Sequence, residues 1–292
     1  KLHNAIIELK WVKHFLEKQV GYKDTPQLSY PTLTSRVKAL TVPFDLQRLS
    51  QMNTEERKHY IAVVQDPFTS YYDATSVEKL ISVIYKLGFK PIVVPYTPNG
   101  KPAHVKGFLD KFEKQAIKTA NLLNQLHALD ITMVGTDASL VLCYRDEYKK
   151  YLRDKRGNFF VHTIDEWLDL VLTEKHIVKA MIKKRFSLLA HCSEKTAMPA
   201  LTTRWQSIFE KLGANLTVQP SGCCGMAGTY GHEASHYKNS KALYELSWSG
   251  VFKQCSTQHE VLVSGFSCRS QVARFEGKKP RHPIAVVNEL IQ

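Results

Sequence analysis

The stretches IAVVQDPFTSY (61–71) and FSLLAHCSEKT (186–196) decide the fold. Each opens as a short apolar run of strand type and breaks at once into a polar, turn-forming segment. A shift of 125 residues lays one on the other, and further punctuation then coincides. YKLGFKPIVVP (85–95) falls on EKLGANLTVQP (210–220), which brings Gly88 onto Gly213 and Pro95 onto Pro220. After a small insertion GTDASL (135–140) falls opposite VSGFSC (263–268). Two copies of one unit explain these coincidences.

Within the first copy, strands are expected at 61–65, 91–95 and 131–135, with helices over 77–87 and 108–129 between them. Gly88 is a natural helix stop. In the second copy the strand runs are 186–190, 215–219 and 260–264. Strands separated by helices imply parallel pairing with helices packed on the sheet. The expected fold class is therefore α/β: two tandem repeats, each a small mainly parallel sheet with flanking helices. The expected divisions are a helical and extended lead-in (1–57), a first repeat (58–155), a connector helix region (156–185) and a second repeat (186–292). In the lead-in, residues 1–20 show helical spacing of apolar residues, whereas 21–35, with Gly21, Pro26 and Pro31, reads as extended.

The 292 residues, 43% hydrophobic and 23% charged, describe an ordinary globular chain with room for two cores. No run approaches the ~20 apolar residues of a membrane span. Lys1–Val20 lacks the regions of a secretory signal, and the chain reads as a piece or processed product of a longer one. The formal charge of +13 is spread over short clusters: Lys149-Lys150, Lys183-Lys184-Arg185 and Lys278-Lys279. No nucleic-acid motif or aromatic platform accompanies them, so no nucleic-acid partner is expected. A solvated basic surface, or an interface to an acidic neighbour, is the expectation.

None of the six cysteines precedes Cys143, and two are adjacent, flanked by Gly222 and Gly225. That distribution suits thiolates kept for metal or redox work in a reducing cytoplasm rather than a disulfide framework. Cys192, Cys223, Cys224 and Cys268 each follow the carboxyl end of an expected parallel strand, where open α/β sheets gather their ligand sites. In the first repeat the same places hold Pro67, Pro98, Asn99 and Leu140. Four thiolates complete a [4Fe–4S] set. Tetrahedral zinc is the other common home for four cysteines, although paired C-x2-C knuckles are absent here. Cys143, in the apolar run SLVLCYR, reads as plain packing, and Cys255 as an exposed helical position. His191, His232 and His236 stand near the cysteines in sequence as candidate proton relays or carbonyl-bonded loop residues. Arg269 is a candidate partner for an anionic centre or a bound carboxylate, or else a surface ion pair. The glycine-rich 225–231 does not follow a dinucleotide fingerprint.

Gly222-Cys223-Cys224-Gly225, with Cys192 upstream and Cys268 downstream, resembles the cysteine-rich "CCG" domain. That domain occurs in duplicate in the cysteine-rich subunit of heterodisulfide reductase and in the iron–sulfur subunits of glycolate oxidase and anaerobic glycerol-3-phosphate dehydrogenase. The longer strings CCGMAGTYGHE (223–233) and GFSCRSQ (265–271), with DTPQLSYPTL (24–33) as lead-in, resemble the large bacterial FAD-linked dehydrogenases of the D-2-hydroxyglutarate dehydrogenase type. The resemblance covers about residues 20–292. It implies an oxidoreductase in which FAD and ferredoxin-like domains of the same parent protein precede this region. Electrons would then pass from the flavin to an unidentified acceptor through an iron–sulfur centre held here.

The flavin would bind outside this chain, which alone would not be catalytic. The implied location is cytoplasmic, with peripheral contact to the inner membrane as a second setting. The sequence departs from the family's pattern where Gly265 replaces the first cysteine of a C-x2-C pair. Four ligands then remain, which argues against the non-cubane double cluster and leaves an ordinary [4Fe–4S] cluster. By the same comparison the first repeat has no metal ligands. The competing reading is a structural or interaction domain whose cysteines hold zinc or no metal. Thiol redox catalysis by Cys223–Cys224 is less attractive, because adjacent cysteines close a strained ring.

Overall fold

The computed structural model describes residues 1–175, 182–198 and 200–291. Two parallel sheets dominate it. The first takes β1 (Tyr60–Val64), β2 (Lys90–Val93), β3 (Thr132–Gly135) and β4 (Val161–His162) in the order β2-β1-β3-β4. The second takes β5 (Arg185–Leu189), β6 (Asn215–Val218) and β7 (Glu260–Val263) in the order β6-β5-β7. In both, the first strand of the copy lies at the centre. The residues of β1 are all buried, as expected of a strand covered on both faces.

The registers repeat along with the order. Ile61 pairs with Pro91 and Thr132, and Phe186 pairs with Leu216 and Glu260. These are the offsets at which the sequences align, so the duplication is carried into three dimensions. Side chains repeat it too. The Thr136 hydroxyl accepts from the Asp66 N–H at 3.0 Å, and the Ser264 hydroxyl from the His191 N–H at 3.1 Å. The Thr119 hydroxyl donates to the Pro98 carbonyl at 3.1 Å, and Ser247 to the Cys223 carbonyl at 2.9 Å.

The two copies meet through the ends of the sheets that carry the loops. Phe68, in the helix after β1, stacks on Phe266, in the helix after β7, with centroids 5.8 Å apart. Reciprocally, the helix Ala138–Leu142 after β3 packs on the helix Cys192–Ala197 after β5. The contact is closed by a buried ion pair between Asp73 and Arg269. One apolar core runs through both repeats, and a smaller cluster lies beside the loops of the second.

Where structure and sequence differ, packing decides. The expected helix over 1–20 breaks at Leu9, whose extended backbone separates Leu2–Glu8 from Lys10–Phe15, and a wider turn follows over Leu16–Val20. Only Ile7 and Val12 are buried there, too little to hold one straight helix. The extended lead-in ends early, in the short helix Leu33–Val37. Strand β4 was not evident in the sequence, because two residues carry no periodicity. The connector region does contain a helix, Ile164–Glu174, started by Glu166 accepting from the Thr163 N–H at 3.0 Å. Part of that region, 176–181, lies outside the described residues. No described helix is long and apolar enough to cross a membrane.

Candidate metal centre

Parallel strands β6-β5-β7 end side by side, so the loops that follow them converge. Cys192 is the first residue of the helix after β5, and Cys268 lies in the first turn of the helix after β7. Cys223 and Cys224 sit in the loop after β6. Cysteines 31 to 76 positions apart in sequence thereby become neighbours.

The four side chains adjoin in the order Cys192, Cys223, Cys224 and Cys268, near enough for neighbours to shift one another's acidity. The neighbouring Cys192 and Cys224 thiols draw Cys223 well below the usual thiol range, and the Gly225 N–H donates to its sulfur at 3.3 Å. In turn Cys192 is pushed up by Cys223, and Cys224 is pushed up by Cys223 and Cys268. Cys224 and Cys268 are buried, whereas Cys192 and Cys223 face the surface in part. The sulfurs adjoin as a chain: among the described residues, no three His, Cys, Asp or Glu side chains are gathered around a point that could hold an ion.

The loop that carries the vicinal pair is held from every side. Trp248 donates its indole N–H to the Gly222 carbonyl at 3.0 Å, and the buried Gln271 amide donates to the Cys224 carbonyl at 2.9 Å. Lys195, one turn after Cys192, spans to the Ser221 carbonyl and to the Ser221 hydroxyl at 3.0 Å. Burial draws the Lys195 ammonium down, against the attraction of the four nearby sulfurs. Gly225 has φ of +83°, and a Cβ there would collide with the Ser240 carbonyl. This loop admits no side chain at that position.

Gly265 faces the His191 ring so closely that a Cβ would collide with it. His191 and Gly265 are therefore a matched pair, and the ring leaves no room for a side chain at 265. The His191 ring accepts from the Ser193 N–H at 3.3 Å, and its backbone N–H donates to the buried Glu194, whose carboxyl is pushed up to about 8 by burial.

The other candidates are placed apart from the sulfurs. His232 bonds the Lys23 carbonyl at 3.0 Å and stacks on Tyr22, while His236 stacks on Tyr230 at 4.0 Å. Arg269 is neither at the surface nor open to a ligand. It is buried, donates to the Val263 and Ser264 carbonyls, and pairs with Asp73 of the other repeat. Cys143 is buried in the first repeat. Cys255, expected to be exposed, is also buried, because its helix turns that face onto Trp248 and Val261. Lys195, Trp248 and Gln271 escaped the sequence reading. Lys195 alone left a signal there, a cation three residues after Cys192.

No family model matches the chain. It is 44% identical over 293 residues to the D-2-hydroxyglutarate dehydrogenase of Escherichia coli (strain K12), an alignment covering 100% of this chain and 29% of the relative. The protein of that name from Pseudomonas putida (strain KT2440) is 39% identical over 296 residues, 100% of this chain and 28% of the relative. One subunit of the anaerobic glycerol-3-phosphate dehydrogenase from Escherichia coli (strain K12) is 25% identical over 243 residues, 80% of this chain and 60% of the relative. The chain spans under a third of the length of the first two. Along its whole length it is homologous to part of these dehydrogenases, which bears out the resemblance to the D-2-hydroxyglutarate dehydrogenase type.

Proposed function

We propose that this chain is the electron-transfer region of a FAD-dependent D-2-hydroxyacid dehydrogenase, and that Cys192, Cys223, Cys224 and Cys268 hold a [4Fe–4S] cluster there. The observation that carries the reading is the convergence of four cysteines on the loops that follow the adjacent strand ends of β6-β5-β7. The chemistry of the donor set supports the reading: four cysteines are the ligand complement of such a cluster, Cys223 has backbone N–H support, and Trp248 and Gln271 fix the loop of the vicinal pair, although the side chains would have to close in around the cluster. When bound, the cluster would supply one-electron redox chemistry at this place.

The chain's own residues would position it and set its surroundings. Cys224 and Cys268 anchor from the apolar cluster, which keeps water from that side. Lys195 places a positive charge beside the sulfurs, and the half-exposed Cys192 and Cys223 form the side nearest solvent. The first repeat, with Pro67, Pro98, Asn99 and Leu140 at the matching places, serves as a buttress without metal ligands. The substrate-oxidising flavin belongs to the remainder of such a protein.

Iron and acid-labile sulfide measured on the anaerobically purified full-length protein test this reading. Near-equal iron and sulfide is expected, lost in Cys224→Ser and kept in Cys143→Ser. A colourless protein with one zinc, or identical behaviour of the two variants, overturns it.

A further inference from the structure

Two of the three basic clusters in the sequence, 95 residues apart, meet in one cleft. Lys183, Lys184 and Arg185 enter it from the start of β5, and Lys278, Lys279 and Arg281 from the segment after the last helix turn at Glu276. Lys253 closes the third side. The cleft measures about 1370 Å³. Its carboxylates are already engaged: Glu260 pairs with Lys184 and Arg281, each at 2.6 Å, and Glu276 accepts from Tyr244 and Ser249. Among the described residues, Lys183, Arg185, Lys253 and Lys278 have no carboxylate partner, and all four are exposed. A concave surface with that much uncompensated charge raises the local concentration of anions.

The cleft is also joined to the sulfur site. The consecutive helical segments Glu245–Ser249 and Gly250–Ser256 run from one to the other. Ser247 and Trp248 bond the Cys223 and Gly222 carbonyls at one end, and Phe252 and Lys253 line the cleft at the other. Six residues of helix span roughly 9 Å. Phe252 shares one apolar cluster with Trp248, Tyr244, Cys224 and Cys268, so cleft and sulfurs are two faces of a single packed unit.

We propose that this cleft is the docking surface for an acidic protein electron acceptor, a reading that rests on the electron-transfer role proposed above. Oxidation of one hydroxyacid to its oxoacid releases two electrons and two protons. A one-electron acceptor must therefore dock twice per turnover, which favours the fast, weakly held encounter that charge steering provides. The concave shape favours a folded acidic protein over a flat membrane surface, and adjacency to the sulfurs favours an electron acceptor over a nucleic acid.

The test uses the full-length, cofactor-loaded protein, with cytochrome b5 as an acidic one-electron acceptor of higher potential than the hydroxyacid couple and menadione as a small neutral one. The double variant Lys253→Glu/Lys278→Glu should lose on the order of 10- to 100-fold in kcat/KM for cytochrome b5, mainly through KM, with menadione reduction within about twofold. The neutral pair Lys253→Gln/Lys278→Gln should fall between, and raising the salt should erase the difference. Poly-L-glutamate should inhibit cytochrome b5 reduction alone. The proposal is overturned by unchanged cytochrome b5 kinetics in both variants, by tighter binding of duplex DNA than of poly-L-glutamate, or by a wild type that neither reduces cytochrome b5 nor binds poly-L-glutamate. It is equally overturned if the variants lower the melting temperature and leave acceptor kinetics alone, since the cleft would then face the protein's own chain. Loss of iron in the cysteine variants is read separately, so failure of the cleft and failure of the centre remain distinct.

Discussion

The two repeats share a scaffold and differ in what it carries. Both keep the central first strand, the registers, the hydroxyl under the first loop and the hydroxyl that holds the second. The second places four sulfurs on those loops; the first has Pro67, Pro98, Asn99 and Leu140 there, and two of its replacements are buried packing. The same hydrogen bonds stand beneath loops with and without sulfur, because they also hold the fold. What the first repeat gained instead is contact with its neighbour: Phe68 on Phe266, and Asp73 on Arg269.

Breaking that contact should have the largest effect. Arg269→Met strands the buried Asp73 carboxylate, which Arg269 and Lys279 hold below the usual carboxylate range against burial. Losing one partner of a buried pair costs about 3–5 kcal/mol. Denaturant unfolding should show that loss, and Asp73→Asn added to Arg269→Met should recover part of it. A cost under about 1 kcal/mol would mean that the repeats do not depend on this pair.

The sharpest difference between the copies is Gly265, whose counterpart is Asp137. Gly265→Ala should cost roughly 2–3 kcal/mol by overpacking against the His191 ring. His191→Ala should relieve most of it in a double-mutant cycle. Asp137→Ala loses only the bonds that Asp137 accepts from Ser139, about 1 kcal/mol. Equal costs at 265 and 137 would show that the ring yields freely.

Acidity gives a third contrast. Asp66, at the place His191 takes in the second copy, is buried and pushed up to about 7, first by burial and then by Asp137. Its folded pKa lies above the unfolded value of 3.8, so the native state keeps a proton that the unfolded state has released. Stability from this group is complete below pH 4 and declines as pH rises toward 7. Asp66→Asn keeps the acceptor oxygen for the Thr69 N–H and should flatten the decline, by up to about 4 kcal/mol. An unchanged slope in the melting temperature between pH 4 and 7 would move the titration elsewhere.

Strand positions, the duplication and the cysteine loops were legible because they rest on local signals: apolar runs, glycine punctuation and a fixed offset. What was not legible depends on residues far apart in sequence. Arg269 finds Asp73 across 196 residues, and Gln271 finds Cys224 across 47. No spacing rule announces either pairing. The Leu9 break and the burial of Cys255 are decided by what the helices pack on, which periodicity alone does not reveal.

The smallest effect is the strictest test of common design. Thr119→Val and Ser247→Ala each delete one hydroxyl donating to a carbonyl at the same place in the two copies, Pro98 and Cys223. Each should cost about 1 kcal/mol, since one neutral hydrogen bond is lost and a carbonyl goes partly unpaired. The two losses should add in the double variant, because the sites lie in different repeats and share no partner. Only Ser247→Ala, however, loosens a loop that carries sulfur. Equal stability losses with a lower iron content in Ser247→Ala alone would separate scaffold from site, and equal iron in both variants would show that the loop holds its cysteines without this bond.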